Sequence, residues 1–187
     1  GTQVAAMTYA HVSDNNDMIT LPAGSYTLVA RSLAGEVPAA SWENPIYGTT
    51  KEFTIRAGET TALGELVCTL VQCKVTVSYS DDFLASVTGE GKTSVEVTAG
   101  YPLDYQLSAN GTYDQSAGFF AVNGNTMKVE FKGIINGKTA KMTKTFTGIA
   151  PKQWRQVRFV QKTNEQGQAT FDIEIVDLIS DSTLNNT

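Results

Sequence analysis

Apolar side chains recur at every second position through most of this 187-residue chain, and that spacing leaves little room for any architecture but β-sheet. Tyr26, Leu28 and Ala30 alternate with Thr27, Val29 and Arg31. Phe53 and Ile55 alternate with Glu52, Thr54 and Arg56, and Val75, Val77 and Tyr79 with Lys74, Thr76 and Ser78. The same period runs through Val95 and Val97, through Met127, Val129 and Phe131, and through Phe171, Ile173 and Ile175. Successive strand side chains point to opposite faces, so each run buries one face and wets the other. Antiparallel sheets with one solvated face read this way, whereas parallel sheets covered on both sides read as continuous apolar runs. The fold class is therefore all-β, as two tandem antiparallel β-sandwich domains. At 41% hydrophobic residues the chain has material for a core.

Turn signals separate the runs. Asn110-Gly111, Asn123-Gly124 and Asn136-Gly137 suit type I′ turns, which need positive φ at both central residues. Asn136-Gly137 is expected to join a strand near 127–135 to one near 138–147. One short helix fits at 81–87: Ser80 caps it, Asp81 and Asp82 suit its positive end, and Phe83, Leu84 and Val87 fall at helical spacing. An internal echo pairs Thr50-Lys51-Glu52-Phe53-Thr54 with Thr143-Lys144-Thr145-Phe146-Thr147, which suggests two related halves. The expected division is an N-terminal sandwich over 1–71, a C-terminal sandwich over 72–179 and a polar tail over 180–187. A strand over 65–71 would pass almost directly into one over 73–79.

Cys68 and Cys73 are the two cysteines. Five residues of extended chain separate their Cα atoms by roughly 16 Å, too far for a disulfide, so both read as free thiols. With a single histidine, His11, no metal set or Cys–His pair is available. Phosphate loops and nucleophile elbows are missing as well, and catalytic, cofactor and metal residues are all expected to be none. Asp14-Asn15-Asn16-Asp17 lacks the spaced acids and closing Glu of a calcium loop and reads as a turn. Asp181-Ser182-Thr183 is a weak match to a bacterial O-glycosylation acceptor.

Charge is distributed unevenly. Residues 128–162 hold nine basic side chains and one acid, Glu130, for a net +8, and a whole-chain charge of −5 leaves −13 elsewhere. A basic surface including Lys128, Lys132 and Arg158 would attract anionic glycans or an acidic subunit; the plainer reading is that lysines decorate solvent faces and blunt sheet edges. Nucleic acid is not expected, because few aromatics interleave with these lysines. Trp42 and Tyr47 fall in a long loop, 33–49, either plugging the end of a sandwich or stacking on a sugar ring. Trp154 shares strand parity with Arg158, opposite Val157 and Phe159, and so faces outward or packs between domains.

Leu21-Pro22-Ala23-Gly24-Ser25-Tyr26-Thr27-Leu28, then Tyr47 through Ile55, then Ala57-Gly58-Glu59-Thr60-Thr61 occur in an order that, with Val67–Leu70 and Lys74–Asp81, resembles an uncharacterised domain family of Bacteroidales surface lipoproteins, akin to fimbrillin-like proteins. The resemblance is closest over 18–84. It implies transthyretin-like or Ig-like sandwiches, export to the cell surface and outer membrane, and polymerisation or adhesion by strand exchange. It also implies further strands upstream of the first domain, and membrane contact only through a lipid anchor lying outside these residues.

These readings converge on a non-catalytic surface module, a fimbrial, adhesin-like or stalk subunit. Its partners would be other surface or fimbrial subunits joined by strand addition, with Tyr26, Leu28, Phe53 and Ile55 lining the acceptor groove. The alternative is a module binding host or dietary glycans through Trp42, Tyr47 or Trp154.

Overall fold

A computed structural model of the chain describes residues 1–8 and 18–179. His11, Asp14–Asp17 and the 180–187 tail lie outside the described residues. The described chain is all-β with one short helix. Its strands are β1 (Gly24–Arg31), β2 (Ala40–Trp42), β3 (Tyr47–Ile55), β4 (Thr69–Leu70), β5 (Cys73–Tyr79), β6 (Val87–Glu96), β7 (Leu103–Leu107), β8 (Gly118–Phe120), β9 (Thr126–Ile135), β10 (Lys138–Thr147), β11 (Trp154–Thr163) and β12 (Ala169–Ile179), with helix α1 (Asp81–Ser86) between β5 and β6. They form three sheets, ordered β1-β3-β4, β10-β9-β6-β7 and β12-β11-β5-β8-β2.

Two compact units are present, Gly1–Val29 with Thr50–Leu66, and Ala30–Thr49 with Val67–Thr187. Leu70 and Cys73 both lie in the larger unit.

Within the larger unit the four- and five-stranded sheets enclose one core. Val75, Val77, Val95, Tyr105, Leu107, Phe120, Met127, Val129, Val157, Phe159 and Ile173 are all buried in it. Phe83 of α1 is its hub. Its ring centroid lies 5.5 Å from Tyr79 and Phe131 and 5.4 Å from Phe159 and Phe171. The helix forms as its sequence dictates: the Ser80 hydroxyl accepts from the Phe83 amide at 3.3 Å, and Asp81 and Asp82 occupy the first turn. Two buried polar contacts cross between the sheets. The Tyr79 and Thr93 hydroxyls share a 2.7 Å hydrogen bond, and the Tyr105 hydroxyl donates to the Val75 carbonyl at 2.9 Å. Gly118 permits that approach, because a Cβ there would stand 2.5 Å from the Tyr105 oxygen.

Asn136 and Gly137 have φ of 50° and 72° and close the β9–β10 hairpin with Ile135 opposite Lys138, the tight turn expected of that dipeptide. One pairing departs from the antiparallel expectation, since β11 runs parallel to β5. Period-two alternation does not reveal this pair, because both strands keep a less buried outer face. Trp42 and Tyr47, expected in a loop, sit instead in β2 and at the start of β3. Three residues of β2 are too few to show a period.

Removing the Phe83 ring would leave a cavity that four facing rings cannot close. Phe83→Ala is expected to destabilise the larger unit by about 3–5 kcal/mol, measured by urea unfolding, with α1 amides losing hydrogen-exchange protection together with the core.

Candidate functional site

The sequence-derived candidates occupy three separate places in the larger unit. On β2, at one edge of the five-stranded sheet, Trp42 is 37% exposed and stands edge-on to Tyr105 with centroids 4.7 Å apart and planes at 76°. The indole thus covers the flank of the core between β2 and β7. Tyr47 is half-buried against a small second cluster of Leu70, Ala117 and Phe119. Neighbouring Ile46 donates its amide to buried Gln72 at 2.8 Å.

Trp154 and Arg158 project from the outer face of the five-stranded sheet. Trp154 is half-buried: the Lys74 ammonium lies 3.6 Å from its ring centroid, and its indole N–H donates to the Thr76 hydroxyl at 3.2 Å. Strand pairing places Lys74 and Thr76 there, opposite Trp154 and Gln156 on β11. Burial lowers the Lys74 pKa, and the nearby Glu43 carboxylate opposes that shift. Arg158 is exposed on the same face, four residues along from Trp154.

Lys128 and Lys132 lie on the outer face of the other sheet, where β-register builds charged rows. Lys141, Lys132 and Lys92 stand directly opposite one another across β10, β9 and β6, and the next row holds Thr143, Glu130, Ser94 and Asp104. Like charges in register repel, and the acid row answers them. Glu130 binds Lys132 at 2.5 Å and Lys141 at 2.9 Å, and Asp104 binds Lys92 at 2.5 Å. Hydrogen bonds from the two lysines push the Glu130 carboxyl down to about 2. Burial acts to raise Asp104, but bonds from Lys92 and Ser94 outweigh it and hold the carboxyl below its usual range.

The basic stretch is therefore much less free than its sequence charge suggests. Among its nine cations, Lys132 and Lys141 share Glu130, Lys144 and Lys162 share Asp172, and Arg155 pairs with Asp177. Bonds from Lys144 and Lys162 hold Asp172 well below the carboxylate range, while Glu174 and Asp172 raise Lys162. Burial raises the Cys73 thiol to about 12, so it is no nucleophile at neutral pH. Among the described residues no group of three or more His, Cys, Asp or Glu is placed to hold a metal ion.

In the smaller unit, Tyr26 and Phe53 stack at 5.8 Å and 27°, and the Tyr26 hydroxyl donates to the Pro22 carbonyl at 2.8 Å. Tyr26, Leu28, Phe53 and Ile55 share the less exposed parity of β1 and β3, yet each is only half-buried. The segment following β3 is tied to it by side chains: the Thr61 hydroxyl donates to the Thr54 carbonyl at 3.1 Å, and the Lys51 ammonium to the Leu63 carbonyl. Sequence reading missed Lys144 and Asp172. The signal was present, since Lys144 takes the apolar parity of Ala140, Met142 and Phe146.

The fold and its surface chemistry define an all-β sandwich module whose charged side chains pair across open sheet faces. The chain belongs to the family described as Domain of unknown function (DUF4493), whose family model matches residues 1–186. No functionally curated protein is significantly similar to it. Among solved structures it is similar to a "putative cell adhesion protein" from Bacteroides fragilis NCTC 9343, at 12% identity and a TM-score of 0.35, with 89% of this chain and 71% of that chain covered.

The carboxylates give a definite pH signature. Glu130 and Asp172 titrate lower in the folded chain than their ordinary values of 4.5 and 3.8. Their stabilisation is complete above about pH 4.5 and is lost as pH falls through the folded values, since the unfolded chain then binds more protons. Thermal unfolding is expected to be flat above that point and to decline toward pH 2. Glu130→Gln with Asp172→Asn should lower stability at pH 7 and flatten the decline.

Proposed function

We propose that this chain is a non-catalytic structural and adhesion module of the cell surface, a fimbrillin-like, adhesin-like or stalk subunit of an exported lipoprotein, and that its smaller unit accepts a β-strand from a partner subunit. One observation carries this reading: among the described residues of the smaller unit no hydrophobic side chain is fully buried. Tyr26, Leu28, Phe53 and Ile55 make an apolar face that remains half-exposed, while Met18 is 80% and Val29 54% exposed. Two- and three-stranded ribbons need a covered apolar face to be stable in water. An incoming strand would supply that cover, with backbone hydrogen bonds for affinity and alternate side chains for specificity. Surface placement and lipid anchoring rest on the sequence resemblance.

The use of the acids supports a non-catalytic role. Asp104, Glu130 and Asp172 are each committed to lysines rather than facing one another across a cleft. A glycan platform is less well supported, because Trp42, Tyr47 and Trp154 stand in different surroundings and the Trp154 ring carries Lys74.

Sedimentation velocity across a concentration series is the direct test. Assembly is expected to grow with concentration, to protect β1 and Thr50–Ile55 amides from exchange, and to weaken about tenfold or more in Leu28→Lys, which sets an unpaired charge on the acceptor face. A monomer at every concentration, with a glycan-array hit abolished by Trp42→Ala or Trp154→Ala, would overturn the reading.

A further inference from the structure

Strand β10 is an edge of the four-stranded sheet, and β9 is its neighbour there among the described strands. Ten residues long, it presents a row of backbone donors and acceptors, the template that another strand needs. Its core-facing positions are Ala140, Met142, Lys144 and Phe146. The three apolar side chains pack against the core, and Lys144 interrupts them. Its ammonium reaches Asp172 Oδ1 on β12, the edge of the opposing sheet, at 2.7 Å, and lies 5.6 Å from the Phe146 ring centroid. Asp172 is fixed in turn by the Ile173 amide at 2.7 Å and by Lys162 at 2.9 Å. Beside this latch the seam is open, as a groove of ≈ 360 Å³ lined by Ile135, Ala140, Met142 and Phe171 among others. The seam between β10 and β12 is thus an open groove in one part, where Asn136, Lys138 and Thr139 stand beside the apolar side chains, and an ion pair in the other.

We propose that Lys144 is the gatekeeper of this seam and keeps a second copy of the chain from adding its own β10 across it. A two-fold β10–β10 contact would be self-complementary in backbone and would cover the groove. It would also bring together two strands that each carry Lys138, Lys141 and Lys144 and no acid, and like charges on facing strands repel. Lys141 points outward, and Lys138, at the hairpin end of the core-facing parity, is exposed, so both can turn to solvent. Lys144 cannot do so without leaving Asp172, so its charge would be covered by the added strand. The inference concerns the larger unit and is independent of what the smaller unit accepts.

Lys144→Met in the full chain, followed by sedimentation velocity and hydrogen exchange, tests it. A dimer is expected at concentrations at least about tenfold below any self-association of the parent chain, with new protection along Lys138–Thr147. Protection there, rather than on β1 and β3, separates this contact from assembly through the smaller unit. Lys141→Met removes a 60%-exposed outward lysine from the same strand and is expected to sediment like the parent. Lys144→Gln removes the charge with a polar side chain and carries the test if the Met variant does not fold. A folded Lys144 variant that sediments as the parent does, or equal assembly of Lys141→Met, would overturn the proposal.

Discussion

Packing of four aromatic rings around Phe83 is the interaction on which the larger unit depends. Tyr79, Phe159 and Phe171 come from β5, β11 and β12 of one sheet, Phe131 from β9 of the other, and Phe83 from the helix that closes the space. Sheets stack about 10 Å apart, a gap that side chains from both faces must fill without voids. Rings do this with few rotatable bonds, and their edge-to-face contacts add a directional preference that aliphatic side chains lack. The six-residue helix could not persist alone, since nucleation outweighs one turn of hydrogen bonds. Burial of Phe83 holds it in place, and the helix in turn delivers the chain from β5 to β6 in the facing sheet.

Opposed strands are fastened by different chemistry from place to place. Rings join β9 to β11, a hydroxyl pair joins β5 to β6, and the Tyr105 hydroxyl joins β7 to the β5 backbone. The two open flanks differ most. Trp42 lies over Tyr105 at the β2–β7 flank, and the Lys144–Asp172 pair spans the β10–β12 flank. Partly exposed ion pairs are screened by salt and contribute little net stability. The ionic flank is therefore held less by energy than by specificity, since a charge at a core-facing position is tolerated in one arrangement and penalised in others.

What the sequence disclosed follows from how local its cause is. Alternation placed the long strands, because each obeys period two on its own. Asn136-Gly137 placed a hairpin, and Ser80 with Phe83 placed a helix, each from a few neighbouring residues. Strand β8 escaped because Gly118-Phe119-Phe120 is buried on both sides, by the main core and by the Leu70–Ala117–Phe119 cluster, so it has no wet face to alternate with. The parallel β5–β11 pairing joins residues about eighty positions apart and leaves no local trace. The same limit governed the candidate site. Nine cations in thirty-five residues read as a basic surface, but the acids that answer several of them, Asp172 and Asp177, lie on β12, beyond that stretch.

The echo between the two Lys-x-Phe segments gains a physical sense from the lysines it contains. Lys51 and Lys144 each precede a Phe by two residues and take the same strand parity as that Phe. In the larger unit the lysine is latched to a carboxylate and the surrounding apolar face is packed on a finished core. In the smaller unit the lysine is bonded to the Leu63 carbonyl, and the face beside it, Phe53 and Ile55 with Tyr26 and Leu28, is left half in water. An apolar face in that condition loses much of the free energy that burial would contribute, so its order is coupled to whatever covers it. The larger unit has a closed core among its described residues, and the smaller one, on the proposed reading, would gain stability from an added strand. That difference in burial is the observation on which the proposed strand acceptance rests.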